Sequence, residues 1–169
     1  MALFRYTILV VLIMTCVNLY SQEIKWMSWT EAVAANEKEP RKIFVDVYTD
    51  WCGWCKRMDQ STFKDSAVVA TMNAHFYAVK MNAEQKESIF WREMEFKWVE
   101  GGRSGFNSLA LELLDRQMSF PSFVTLDKEF ARISISPGYK EPPALLKELK
   151  YAYEELYRTM SWDDYKSKS

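Results

Sequence analysis

Apolar and polar positions along this chain fall into blocks of changing period, and the first block stands apart. Met1 to Arg5 is short and weakly positive, Tyr6 to Val17 is almost unbroken apolar sequence, and Asn18-Leu19-Tyr20-Ser21 turns polar again. This succession is the pattern of a secretory signal peptide. The apolar run is too short to span a bilayer comfortably, since a membrane helix needs about 20 such residues. Cleavage is expected after Ser21, with an uncleaved N-terminal anchor as the competing reading. Lipid modification at Cys16 is disfavoured, because Met14-Thr15 ahead of it lack the small side chains such sites use.

Beyond Ser21 the pattern alternates between helical and strand periods. Ser28-Trp29-Thr30-Glu31 has the capping-box form and predicts a helix to about Glu37, ending before Pro40. Ile43 to Tyr48 reads as a strand, Gly53 to Ser61 as a helix, and Asp65 or Ser66 caps a short helix through Val68, Val69 and Met72. Phe76 to Met81 is a second strand. Residues 84–98 read as an aromatic-rich helix, with Ile89, Met94 and Trp98 on helical spacing. Its ordinary role is core, and its alternative role is a cap over bound clients. Gly101-Gly102-Arg103-Ser104-Gly105 is a flexible loop, followed by a helix at 107–117. Strands at Ser122–Leu126 and Ala131–Ser136 flank a turn at Asp127-Lys128-Glu129. A last helix starts at Pro142-Pro143 and runs to about Met160. The order describes an α/β sandwich around a mixed sheet. Residues 1–21 are assigned to the leader, 22–160 to one domain and 161–169 to a frayed, flexible tail.

Composition narrows the function classes. The 169 residues carry 22 basic and 23 acidic side chains, dispersed among one another, for a net charge of −1. No basic patch of the kind nucleic acid requires is present. Losing the leader removes Arg5, no acid, and Cys16, so the two remaining cysteines are Cys52 and Cys55. A domain this size folds without disulfide staples, which leaves that pair free for function.

Cys52 and Cys55 lie in Trp51-Cys52-Gly53-Trp54-Cys55-Lys56, directly after the first apolar strand. A strand that drops into a Cys-x-x-Cys helix start suits reversible dithiol–disulfide exchange. Cys52 lies where helix N–H groups favour a thiolate, with Lys56 adding little because it points to water. Cys55 is placed to resolve a mixed disulfide. An inert disulfide or half of a metal site is the alternative. Four-coordinate zinc would need two more ligands, and the chain has one histidine, His75, which reads as a surface residue. The methionines are scattered, which disfavours copper handling. Asp46, a carboxylate inside an apolar strand, is either a buried base or a solvated edge residue, and spacing alone does not choose. Pro121 by itself reads as a trans proline starting a strand. Trp51 and Trp54 are either a docking surface or packing against their own domain. Trp54 brings no hydrogen-bonding or charged group to the thiolate, which favours a reductant or general exchanger over a strong oxidant.

These residues together resemble the thioredoxin superfamily, over roughly residues 24–158. Trp51-Cys52-Gly53-x-Cys55-Lys56 resembles its active site. Asp46, six residues before Cys52, resembles its buried aspartate, and Lys80 in Val79-Lys80-Met81-Asn82 resembles the lysine paired with that aspartate. Phe120-Pro121-Ser122-Phe123 resembles the segment carrying a cis-proline, and Gly138 the glycine ending the last strand. Within the superfamily the chain is most similar to single-domain exported thioredoxin-related proteins of bacteria, and more distantly to the anterior-gradient proteins. Two departures stand out. Trp54 replaces the usual proline, and the stretch 84–105 is longer and more aromatic.

The resemblance implies a thioredoxin fold, a central mixed sheet sandwiched by helices. It implies Cys52 as nucleophile, Cys55 as resolving thiol, Asp46 as proton acceptor and Pro121 as a cis-proline. Trp51, Gly53, Trp54, Phe120 and Gly138 would contact the client, supported by Lys56 and Lys80. The expected protein is an exported, periplasmic or secreted thiol–disulfide oxidoreductase, acting as a monomer on protein clients with disulfides. It would use no cofactor and no metal. It needs a separate redox partner, because no G-x-G-x-x-G for a nucleotide occurs. Membrane contact would come only through an uncleaved leader. A non-catalytic binding module or folding helper using the aromatic groove is the rival. A peroxide-reducing thiol enzyme is disfavoured, on the expectation that no arginine or threonine suited to peroxide lies near Cys52.

Overall fold

Strand β2 (Lys42–Tyr48) organises the molecule, because its side chains from Ile43 to Val47 are buried on both faces. The computed structural model describes residues 23–101 and 104–168, so the leader expected over residues 1–21 lies outside the described residues. Strand β3 (Phe76–Asn82) runs parallel to β2 on one side, with Asp46 opposite Lys80. On the other side β8 (Ser122–Leu126) runs antiparallel, with Asp46 opposite Phe123. A short β1 (Trp26–Met27) extends the sheet beyond β3, and β9 (Arg132–Pro137) extends it beyond β8. The order is β1-β3-β2-β8-β9, a mixed sheet.

Helices cover both faces. One face carries Ile43, Val45, Val47, Val79, Met81 and Val124, closed by Trp29 and Ala32 of α1 (Trp29–Lys38). Leu109 and Leu113 of α4 (Ser108–Leu113) complete that layer. The other face carries Phe44, Ala78 and Phe123. It is closed by Met58 of α2 (Gly53–Gln60), by Val68, Val69 and Met72 of α3 (Ser66–His75), and by Leu145 and Leu149 of α5 (Pro142–Tyr153). Alternation along β2 places Asp46 on this second face, with Phe44. Helix starts follow local chemistry: the Ser28 capping box on α1 is complete, and Asp65 Oδ1 accepts from the N–H groups of Ala67 and Val68 at 3.0 Å.

The chain departs most from expectation in two places. Residues 84–98 are not a helix. They contain a hairpin of β4 (Ile89–Trp91) and β5 (Met94–Phe96), and β6 (Trp98–Val99) follows, paired with β7 (Phe106–Asn107). The turn between β4 and β5 is Arg92-Glu93, both at positive φ (49° and 63°), the backbone of a tight hairpin without its usual Asn-Gly. Ile89 and Phe96 point inward and Trp91 packs edge-on against Trp29, with centroids 5.0 Å apart. Phe90 is turned out to solvent. Along β4 alternate burial, with Ile89 in, Phe90 out and Trp91 half-buried, replaces the helical spacing. The second departure is the C-terminus. The last long helix stops at Tyr153, and Ser161–Ser169, expected as a frayed tail, contains a further helix, α6 (Trp162–Ser167). Trp162 and Tyr165 both pack on Tyr151, each at 5.3 Å between centroids, which gives this segment its own apolar anchor.

The β6–β7 pair depends on Gly105. Its φ is +80°, and a Cβ there would meet the Trp98 ring at 2.4 Å and the Val99 carbonyl at 2.6 Å. Gly105→Ala is therefore expected to cost about 2–4 kcal/mol, from the left-handed backbone and the overlap together. Urea unfolding checks this, and a variant within about 0.5 kcal/mol of wild type would remove Gly105 from this role.

Candidate active site

The turn after β2 delivers the cysteines. Cys52 N–H donates to the Thr49 carbonyl at 3.1 Å, and Cys52 then serves as the N-cap of α2, its Sγ accepting from Cys55 N–H at 3.1 Å. The sulfur therefore sits at the positive end of a helix, where a thiolate is favoured. Cys52 and Cys55 are joined in a disulfide, with Cα atoms 5.3 Å apart. Both cysteines are nearly buried, at 4% and 2% exposure, so the disulfide lies shielded between exposed tryptophans rather than open to water. Lys56 is exposed, as its position on the helix dictates.

Asp46 lies beneath this helix face, 1% exposed. Its Oδ2 accepts from Lys80 Nζ at 2.6 Å, and Oδ1 has no hydrogen-bond partner among the described residues. Burial raises its pKa to about 6, with Lys80 pulling it back and the nearby Asp59 pushing it further up. Burial by itself would lower Lys80, but the carboxylates of Asp46 and Asp59 together outweigh it and hold the ammonium above its ordinary value. Lys80 thus stays charged because it serves two carboxylates, while Asp46 can exchange a proton near neutral pH. The choice left open by spacing falls on the buried carboxylate.

Around the disulfide, Trp51 is 66% exposed yet tethered. Its Nε1 donates to Glu84 Oε1 at 3.0 Å, and its ring stands edge-on to Phe120 at 5.9 Å. Trp54 is 58% exposed and leans on Tyr139 at 5.3 Å. The Phe120–Pro121 bond is cis. Pro121 directly precedes Ser122, which pairs with Val47 at the end of β2, so it stands beside the strand end that leads to Cys52. Gly138, at φ +88°, follows β9 and donates its N–H to the Pro121 carbonyl at 2.8 Å. Gly53 is exposed, with open space around it. A cavity of about 390 Å³ opens beside Trp51, lined by Glu84, Ser104, Phe106, Met118 and Phe120. His75 is exposed at the end of α3 and stacks on Tyr153 at 4.2 Å. Among the described residues no cluster of His, Cys, Asp or Glu is arranged to hold a metal, and no helix is long and apolar enough to cross a membrane.

Four residues near the site escape a reading by motif. Asp59 shares the α2 face of Cys55, four residues on, a spacing that could have revealed it. Glu84 lies in the stretch read as helix. Thr49 is buried in the turn before Cys52, and the Arg57 guanidinium stands 6.0 Å from the ring centroids of both Trp54 and Tyr139. Arg57 is exposed and reaches the aromatic rim.

Comparison with known proteins agrees with the fold. The solved structure of DsbH oxidoreductase matches with a TM-score of 0.57 and 18% identity, over 82% of this chain and 90% of that one. A solution structure from Bacteroides thetaiotaomicron, described as that of a candidate disulphide-isomerase, matches with a TM-score of 0.56 and 27% identity, over 78% and 93%. An uncharacterized protein of Caenorhabditis elegans, B0495.5, is 27% identical over 84 residues, 49% of this chain, and the chain spans only 12% of its length. The sequence profile named Thioredox_DsbH, described as a protein of unknown function, DUF255, matches residues 16–155. The chain belongs to the Thioredox_DsbH family and carries its Cys52–Cys55 disulfide in a thioredoxin fold.

Proposed function

We propose that this protein is a thiol–disulfide oxidoreductase that exchanges disulfides with exported protein clients, nearer a reductant or exchanger than a strong oxidant. The observation that carries the reading is the Cys52–Cys55 disulfide at the N-terminus of α2, the helix that packs over the sheet face holding the buried Asp46. In the reduced protein the Cys52 thiolate attacks a client disulfide, forming a mixed disulfide and releasing one client thiolate. Asp46 Oδ1 takes the proton of Cys55. The Cys55 thiolate then attacks Cys52 Sγ, closing the Cys52–Cys55 bond and releasing the second client thiolate, and the two client thiolates take protons from water. The client gains two electrons and the protein loses them. A separate redox protein must return them, since the chain's residues form no nucleotide-binding motif.

Trp51, Trp54, Phe120 and the cavity beside them form an apolar rim for the client segment flanking its cysteines. Export is supported by the leader-like residues 1–21, and the likeness at 27% identity to a candidate disulphide-isomerase supports the chemistry.

Cys52→Ser is expected to abolish reduction of insulin disulfides by dithiothreitol while keeping client binding; a variant that remains active would leave the binding-module reading in its place. The pair's reduction potential in glutathione or dithiothreitol buffers is expected nearer about −270 mV than about −120 mV, and the opposite result would reverse the proposed direction.

Asp46 gives a pH signature. Its folded pKa lies above its unfolded value of 3.8, so the native state binds the proton more tightly. Stability is then greatest below pH 4 for this group and is lost as pH rises towards and through about 6. Asp46→Asn is expected to remove that slope and to raise stability above pH 6 by about 1–3 kcal/mol, read by urea unfolding of the oxidised protein. The same variant should slow client reduction at pH 7 by about one to two orders of magnitude. A constant stability difference from pH 4 to 8 would place the ionisation elsewhere.

A further inference from the structure

Asp46 can take a proton, but water does not reach it. A carboxylate buried to 1% exposure must pass the Cys55 proton on as it accepts it, because while the proton stays on Asp46 it can return to the thiolate before the disulfide closes. Lys80 supplies the way out. Its Nζ bonds Asp46 Oδ2 on one side and makes a short contact with Asp59 Oδ1 on the other. Side-chain exposure rises along the three groups, from 1% at Asp46 to 21% at Lys80 and 42% at Asp59. A cavity of about 270 Å³ opens over the outer two, walled by Trp26, Phe63 and Lys64, and Asp46 does not line it. That volume holds several waters. The rings of Trp26, Phe63 and Tyr48 stand 4.9, 5.1 and 5.2 Å from Lys80 Nζ and hold the ammonium between the two carboxylates.

We propose that Asp59 is the proton exit of the dithiol reaction, acting through Lys80. The inference rests on the reading of Asp46 as the group that accepts the Cys55 proton. Lys80 passes one of its protons to Asp59 as it takes the proton from Asp46, and Asp59 releases its proton to cavity water. At the end Asp46 is a carboxylate, Lys80 an ammonium, Asp59 a carboxylate, and one proton is in solution. The other groups facing this route do not compete for the proton. Tyr48 is held above its ordinary range, chiefly by burial. Lys64 is paired with Glu23 at 2.6 Å at the cavity mouth, and Asp50 is bonded by Asn82 at 3.1 Å.

The test uses reduced full-domain protein mixed with oxidised glutathione in a stopped-flow instrument, following tryptophan fluorescence from pH 5 to 9. At saturating disulfide the plateau rate reports the Cys55 step, and the initial slope against disulfide concentration reports capture by Cys52. Asp59→Asn is expected to lower the plateau about tenfold and leave the slope unchanged, with Asp59→Glu restoring the plateau. A plateau equal to wild type, with only its pH midpoint moved, would mean that Asp59 acts as a static charge, and the exit role is then wrong. If Asp46→Asn also keeps the wild-type plateau, the underlying assignment of Asp46 fails instead. Should Asp59→Asn not fold, Asp59→Ala with added formate carries the same test: rescue by the small acid is expected, and its failure overturns the proposal.

Discussion

Burying Asp46 on the central strand costs free energy that its neighbours do not fully return. Lys80 bonds one oxygen at 2.6 Å, yet desolvation still dominates and the carboxyl holds its proton up to about pH 6. That balance constrains the rest of the sheet. Lys80 meets Asp46 only because β2 and β3 pair in the register that sets the two residues side by side. A slip of one residue would turn Lys80 into the opposite core, among Val45, Val47 and Val124, and leave the carboxylate alone. The crossover from β2 to β3 is built from α2 and α3, and α2 brings the cysteines, so the register that pairs the ions also aims the disulfide. One strand pairing fixes both.

Much of this was legible in the chain itself. The apolar run around Asp46, the Cys-x-x-Cys helix start and the paired strands at 122–136 all carry strong local signals, and the sheet and helices around the site form where those signals lie. The capping box at Ser28 and the Asp65 cap are chemical features of single residues, readable without tertiary context. The burial of Asp46 was not decided by spacing, because an aspartate flanked by valines suits an edge strand equally well. Only the two neighbouring strands, brought in from residues 76–82 and 122–126, close it off.

What could not be read depends on partners distant in sequence. The hairpin at 89–96 uses Arg92 and Glu93 in a backbone conformation their side chains do not announce. Its inward positions are set by Trp29 and Phe130, more than thirty residues away on either side. Asp59 looks like an ordinary helix-surface acid until Lys80 arrives from β3. The last helix reads as a polar tail because its anchor, Tyr151, lies in the preceding helix and its own apolar content is two rings.

The link between Gly138 and Pro121 bears on how long a client can stay. Proline offers no N–H, and its carbonyl already accepts from Gly138 at 2.8 Å. An extended chain pairing with the backbone at Phe120, as the proposed function has it, would find no free template beyond it, because β8 is already flanked by β2 and β9. Docking would then be limited to about one residue of main chain, with side chains on the tryptophan rim supplying the rest. Such a short hold would favour quick departure once the proposed sulfur exchange is done.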